Sequence, residues 1–320
     1  MKIVAGIDVS KRTLDVFIDG KPFQVANDAT GFTRLRAECK RKRVDLVVME
    51  ATGSYHETIA IYLCEAGIDV VVLNPARSHY YAKCVGKRVK TDRVDAQVLA
   101  RFGQTHEAEL ERYVPPRLSE REFRALVRMR HDLVRTCAAA KTRLQGPVLQ
   151  ALEAKLLHAQ IAFFNEQIEV LDEQIKALIQ ADEALKRKEA LLRSIPGVGA
   201  ITAWTLLAEV GDFARFPSAK QLAAFAGVCP TFRHSGTSQN GPGRMSRAGN
   251  PTIRKLLYLA AMAALRSEGV FKTQYTHLVD QGKAKMTAVV AVMHKILRVA
   301  YGVIKTGQPF LNEKALTTYK

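Results

Sequence analysis

Residues 45–75 read DLVVMEATGSYHETIAIYLCEAGIDVVVLNP, two short aliphatic runs on either side of an amphipathic stretch that closes at Gly67. Runs apolar at nearly every position suit strands buried on both faces of a parallel sheet, and the stretch between them (54–67) suits a crossover helix with a glycine cap. The segment is a β-α-β unit. Working outward to the N-terminus, KIVAGIDVS and TLDVFID alternate and are parted by Lys11-Arg12, and KPFQVAND follows them. This predicts an antiparallel three-strand meander, then a helix over about Thr30 to Arg43. The first hundred residues are therefore α/β.

On the other side, Asn74-Pro75 ends the unit and a basic linker, KCVGKRVK (83–90), leads into TDRVDAQVLARFG (91–103). There Thr91 caps a predicted helix with Asp92 and Asp95 in its first turn. From Leu118 to Arg193 the pattern is helical with one break at Gly146-Pro147. Within it Leu157, Ile161, Phe164, Ile168, Leu171, Ile175 and Leu178 step alternately by four and three, a heptad seam that predicts a helical hairpin or coiled coil. One sequence does not decide whether that seam packs within a chain or between chains. The last segment, from SIPGVGAITAWTLLAEVG (194–211) through QLAAFAGV, a Gly/Ser-rich loop at 235–250 and helical stretches at 251–267 and 286–305, reads as all-α around one long polar loop. The expected organisation is an α/β domain over 1–110, a helical arm over 111–192 and a mostly helical domain over 193–320.

The chain has 320 residues, 48% of them apolar and 25% charged, enough to bury a sizeable core in two or three domains. Its longest unbroken apolar run, Leu256 to Leu265, is far short of the roughly 20 residues of a membrane span, and MKIVAGIDVS lacks the apolar core of a signal peptide. Five cysteines without a CxxC indicate neither a disulfide framework nor a zinc ribbon, so a cytoplasmic protein without a membrane partner is expected. Of the net charge of +17, residues 191–320 carry +12, with 17 Lys and Arg against 5 Asp and Glu. A surface that basic calls for a polyanion, most commonly a nucleic-acid backbone.

Asp8 ends the first predicted strand, Glu50 ends the fourth, and Asp92 and Asp95 open the helix after the fifth. Carboxylates at the carboxyl ends of neighbouring strands converge on the edge where α/β sheets bind ligands, and four of them need a cation there. Hard oxygen ligands and a phosphodiester substrate point to Mg²⁺, or Mn²⁺ in its place. A plainer reading makes Asp92 and Asp95 helix-terminal charges and Glu50 a solvated strand end. IPGVGAITAWTLL contains the PGhG turn of a helix-hairpin-helix, in which Gly197 and Gly199 would let backbone amides approach a DNA phosphate. The same turn is also common as a glycine-capped helix corner. The loop HSGTSQNGPGRMSRAGN sets Ser235, Thr237, Ser238 and Ser246 beside Arg244 and Arg247, the groups phosphoryl transfer through a hydroxyl requires, without choosing among the hydroxyls. The chain contains no HxxxH, HExxH, GxxxxGKS or GxxxxGKT, so zinc hydrolase and nucleotide-driven motor chemistry have no support.

GIDVSK, VVMEATGSYHE, LNPARSHYYAKCVGKRVKTDRVDAQVLA, LLRSIPGVG, QLAAFAGVCP and HSGTSQNGPGRMSRAGNPTIRKLLYLAAM, in this order along essentially the whole chain, closely resemble the DEDD transposases of insertion sequences, the bridge-RNA-guided recombinases. The resemblance implies a RuvC-like (ribonuclease-H-like) N-terminal domain, a coiled-coil arm and a C-terminal transposase domain. It also implies a metal-binding tetrad of Asp8, Glu50, Asp92 and Asp95, and a nucleophilic serine at Ser235 in the SG pair, with Ser246 the second choice. Arg247 stands where the family often has Lys, and either supplies a cation.

For mechanism, the resemblance implies attack by Ser235 on a metal-oriented phosphate, a covalent phosphoserine, and rejoining to a partner strand, with tetrad and serine drawn from different protomers of a dimer or tetramer. Its expected partners are donor and target DNA and an element-encoded guide (bridge) RNA. Lys87, Arg88, Lys90, Gly197, Gly199, Arg244 and Arg247 are the expected backbone contacts. Two other readings fit the same residues: a RuvC-like Mg²⁺-dependent endonuclease that uses water, with Ser235 a bystander, and a non-catalytic nucleic-acid-binding protein.

Overall fold

The computed structural model describes residues 2–51, 53, 55–84, 92–231, 234–235, 239–240, 244–245 and 249–312; the side chains at 76, 92–93, 230–231, 234–235, 239–240 and 244 fall outside that description. The chain divides into two compact units, Met1–Pro116 and Arg117–Lys320. The helical arm and the last segment thus share one unit, because Phe123, Val127, Ile175 and Ile179 of the arm belong to the same apolar core as Trp204, Leu257 and Ile296.

The first unit is a five-stranded sheet in the order β3-β2-β1-β4-β5. Its strands are β1 (Val4–Val9), β2 (Thr13–Ile18), β3 (Lys21–Ala26), β4 (Leu46–Glu50) and β5 (Val70–Leu73). β2 is antiparallel to β1 and β3, whereas β4 is parallel to both β1 and β5. This is the mixed sheet expected of a RuvC-like domain. The β2–β3 turn is Asp19-Gly20, both at positive φ (50° and 78°), the backbone a two-residue hairpin demands.

Strand alternation divides the apolar residues between two layers. Ala5, Ile7, Val47 and Met49 face α1 (Ala29–Arg41) and α2 (Tyr55–Glu65). Val4, Leu46 and Val48 face α4 (Asp92–His106), in a cluster that Tyr81 of α3 (Pro75–Cys84) joins. α3 departs from the sequence reading, which carried no element between Pro75 and the basic linker; Pro75 stands at its first position, where a missing N–H costs nothing.

α4 reaches the sheet through glycine. A Cβ on Gly6 would lie 2.0 Å from the carbonyl oxygen of Ala96 and 2.5 Å from the amide of Ala100. One on Gly103 would lie 2.6 Å from Val48 and 2.7 Å from Val4. Helix backbone therefore rests directly on the central strand.

The second unit is helical: α5 (Leu118–Leu144), α6 (Ala151–Ala181), α7 (Glu183–Arg193), α8 (Ala200–Val210), α9 (Ala219–Ala226), α10 (Pro251–Ala264), α11 (Val270–Asp280) and α12 (Lys285–Thr306). α5 and α6 form an antiparallel hairpin, in which Arg130 pairs with Asp172 and the Cys137 thiol lies 3.6 Å from Asn165. Leu157, Leu171 and Ile175 of the heptad seam are buried in it, so the seam serves the monomer's own hairpin, while Leu152, Leu156, Phe163 and Val170 line a second, exposed stripe. The helical run has a second break at Asp182, whose carboxylate accepts from the Ala184 and Leu185 amides and caps α7. α11 is a further helix that sequence patterning did not single out. α12 is long and apolar enough by composition to cross a membrane, but its buried residues, Val292, Ile296 and Ala300 among them, make it the core helix of this unit.

Gly6→Ala should force α4 off β1 and lower unfolding stability by about 1–3 kcal/mol, read from the denaturation midpoint in urea. An unchanged midpoint would contradict the backbone contact.

Candidate active site

In the parallel β1–β4 ladder Ile7 pairs with Met49, so Asp8 and Glu50 follow side by side at the carboxyl ends of adjacent strands. Alternation puts both on the face of Val4, Gly6 and Val48, beneath α4. The direction of α4 is set by its glycine contacts: Gly103 lies over Val4, and Ala96 and Ala100 lie over Gly6. Moving from Ala96 back to Asp92 climbs about 6 Å of helix, and moving from Gly6 to Asp8 climbs about 6.6 Å of strand. The backbone therefore brings the first turn of α4, with Asp92 and Asp95, to the strand ends that carry Asp8 and Glu50.

Glu50 is half-buried and its Oε2 accepts from the hydroxyl of Ser78 on α3, 2.7 Å away. A second group at this edge was not legible in the sequence. Asp15 is directly opposite Asp8 in the β1–β2 register, is buried, and accepts from the Gln24 amide at 3.0 and 3.1 Å. In TLDVFID it has the spacing of a solvent-facing strand residue, and only the covering by α4 makes it interior. Among the described residues no three His, Cys, Asp or Glu side chains gather closely enough to hold an ion, and the Asp92 side chain lies outside that description. Carboxylates, the side chains that the sequence places at this edge, are the ligand type that suits a hard divalent cation.

In the second unit the segment expected as a loop forms two short ladders. Pro230 and Thr231 pair with Met245 and Arg244, and beyond them His234 and Ser235 pair with Asn240 and Gln239. The Gly/Ser composition concealed strands of only two residues each. Among the described residues Ser235 is the last paired one on its strand.

The root of this hairpin is tightly specified. Gly227 caps α9 in the left-handed conformation, and Gly249 (φ +116°) sits where a Cβ would be 2.6 Å from the Gly227 amide and the Phe225 carbonyl. Asn250 donates its amide N–H to Phe225, accepts from Thr252 and Ile253 to cap α10, and donates through Nδ2 to Glu209 at 2.8 Å. Glu209 on α8 is in turn held by Arg128 of α5 through two bonds of 2.8 and 3.1 Å. Burial raises the Glu209 carboxyl, but the hydrogen bond and charge of Arg128, with help from Asn250 and Arg124, outweigh it and hold the group below the usual carboxylate range.

The remaining expected contacts divide. Gly197 (φ +85°) packs on α10, where a Cβ would be 2.2 Å from the Ala260 carbonyl, so this glycine is accounted for by helix packing; Gly199 is the exposed N-cap of α8, with open space at its Cβ position. Arg244 lies on the hairpin's return strand, with only its backbone described. Lys87, Arg88, Lys90, Thr91, Thr237, Ser238, Ser246 and Arg247 lie outside the described residues.

Residues 189–276 match the family model of the transposase IS116/IS110/IS902 family, and residues 5–152 match a DEDD-type transposase model. The chain is 31% identical over 318 residues to the pilin gene-inverting protein of Moraxella bovis, covering 97% of this chain and 98% of that one. The chain belongs to the IS116/IS110/IS902 transposase family. It is also 28% identical over 253 residues to the transposase for insertion sequence element IS1111A of Coxiella burnetii, which covers 70% of this chain and 67% of that protein. As a DEDD-type family transposase it is an enzyme of DNA transposition and recombination that uses a divalent metal ion.

The Glu209 carboxyl, depressed on folding, contributes stability in full above its ordinary value of 4.5, and that contribution is lost as pH falls through the lower folded value. Glu209→Gln should therefore flatten this part of the acid limb of a stability–pH curve, and Asn250→Ala should cost about 1–2 kcal/mol through the lost cap. An acid limb identical to wild type would remove Glu209 from the root of the hairpin.

Proposed function

We propose that this transposase joins donor and target DNA through a covalent phosphoserine, with Asp8, Glu50, Asp92 and Asp95 as its metal ligands and Ser235 as its nucleophile. The observation that carries the reading is the descent of α4 across Gly6, which directs its first turn to the strand ends bearing Asp8 and Glu50. Mg²⁺, or Mn²⁺ in its place, would polarise the phosphodiester and stabilise the leaving oxygen when bound there. Ser235 Oγ attacks phosphorus and loses its proton, the bond to the 3′ oxygen breaks, and that oxygen leaves protonated as a free 3′-hydroxyl. A 3′-hydroxyl of a partner strand then attacks the phosphoserine and returns the serine.

Retaining the ester in a covalent intermediate removes any need for a nucleotide cofactor. Two features favour rejoining over hydrolysis by water. Ser235 is paired in a hairpin whose root is pinned to α8, α9 and α10, and a relative covering nearly the whole chain is named for inverting a gene, an outcome in which cut ends are rejoined.

On this reading tetrad and serine come from different protomers of a dimer or tetramer, and an element-encoded bridge RNA chooses the sites by base pairing. The protein then needs only to hold backbones, which suits the +12 charge of residues 191–320. Lys87, Arg88, Lys90, Gly199, Arg244 and Arg247 supply those contacts, with Gly197 shaping the turn that presents Gly199.

Incubation of labelled junction DNA with protein, Mg²⁺ and RNA transcribed from the flanking noncoding region should give a protease-sensitive DNA adduct on a denaturing gel. Ser235→Ala and Asp8→Asn should each abolish it, as should EDTA. Cleavage without an adduct, equal in wild type and Ser235→Ala, would establish the hydrolytic nuclease instead. Arg244→Ala with Arg247→Ala should weaken DNA binding uniformly across sequences and reduce the slope of log affinity against log salt by about 2; a slope equal to that of wild type would remove both from the interface.

A further inference from the structure

A cleft of about 590 Å³ opens at the same carboxyl edge of the sheet, among the elements of the layer opposite α4. Its lining includes Lys11, Asn27, Asp28, Phe32, Tyr55 and Tyr62. Lys11 is three residues beyond Asp8 and Tyr55 five beyond Glu50, and both segments leave the sheet at the strand ends that carry those acids. Asn27 ties the cleft to the same edge: its amide N–H donates to Arg12 and its Nδ2 donates to the Ser10 carbonyl at 2.8 Å.

The chemistry of the lining is that of a base-binding pocket. Phe32 and Tyr62 meet with ring centroids 5.6 Å apart, and the Arg36 guanidinium lies 5.6 Å from the Tyr62 centroid. Tyr55 is 43% exposed at the mouth, so it can present a ring without being needed to hold the core. Lys11 is exposed and is the one cation of the lining among the described residues. Asp28 accepts from the Gly31 amide as the cap of α1 and, itself exposed, adds a negative charge to the lining. A phosphate would be repelled there, whereas the amino groups of a base find an acceptor. Aromatic walls with an acceptor and an exposed cation beside them fit a base and its adjoining phosphate.

We propose that this cleft receives one unpaired base of the substrate DNA strand, stacked on Tyr55, with Lys11 on the adjoining phosphate. A base within a duplex already has both faces stacked, so the cleft selects a strand that is open near the cleavage point. The proposal rests on the reading that the carboxyl edge takes the DNA strand.

The test is a titration of the full chain, in EDTA so that no strand is cut, into a single-stranded oligothymidylate carrying one 2-aminopurine. Fluorescence quenching reports stacking and anisotropy reports affinity. Wild type should quench the single strand and leave the same 2-aminopurine, paired in a duplex, unquenched. Tyr55→Ala should lose the quench and weaken binding by about 5- to 100-fold, Tyr55→Phe should keep both, and Lys11→Ala should lower the salt slope by about 0.7. Equal quenching and affinity in Tyr55→Ala would overturn the proposal, as would quenching of the duplex, and tighter binding of the matching ribo-oligonucleotide would reassign the cleft to RNA. Because binding is read without catalysis, a Ser235→Ala protein that still quenches separates failure of the recombination chemistry from failure of the pocket.

Discussion

The close approach of α4 to β1 is the constraint on which the catalytic unit depends. Without a side chain at Gly6 the helix backbone comes into direct contact with the central strand, and Gly103 allows the same near the other end of the helix, against Val4 and Val48. A helix held at two such points has little freedom to slide or rotate, since either movement drives a carbonyl or a valine into backbone. The first turn of α4 is therefore located by backbone packing that involves no charged group. The acidic residues of that turn are thus directed to the strand ends by packing, with no need of attraction between like charges.

The second unit solves a different problem. A polar, Gly/Ser-rich segment has to be set between the helices of an apolar core without loosening it. The ends of the segment are fixed to α8, α9 and α10 by a left-handed glycine, a second glycine pressed against backbone, and an asparagine that caps one helix while bonded to Glu209. Arg128 balances the charge of that buried acid, so a network otherwise costly to bury is satisfied in full.

Much of the first unit was legible because its meander strands alternate, its parallel strands β4 and β5 are almost continuously apolar and its crossover helix ends at glycine. The positions of the four acids, at strand ends and a helix start, were legible from the same patterns. Three kinds of feature escaped. α3 and α11 lack a clean apolar stripe, and the strands around Ser235 are two residues long, too short to show alternation. Asp15 has the spacing of a surface residue and is interior only because a helix distant in sequence lies over it. The break at Asp182 had a local signal, an acid ahead of a helical run, but the heptad pattern masked it.

The root of the serine hairpin also bears on how such a chain can diverge. Asn250 is bonded to Phe225, and Gly249 touches Gly227, so the backbone before the hairpin and the backbone after it already meet. Everything between them is an inset whose closure is enforced by its ends, and lengthening an inset of this kind costs only the slow logarithmic rise of loop entropy. The segment that carries the proposed nucleophile can therefore be shortened, extended or exchanged between relatives while the helical core keeps its packing, leaving its length and composition free to follow the DNA on which the protein acts.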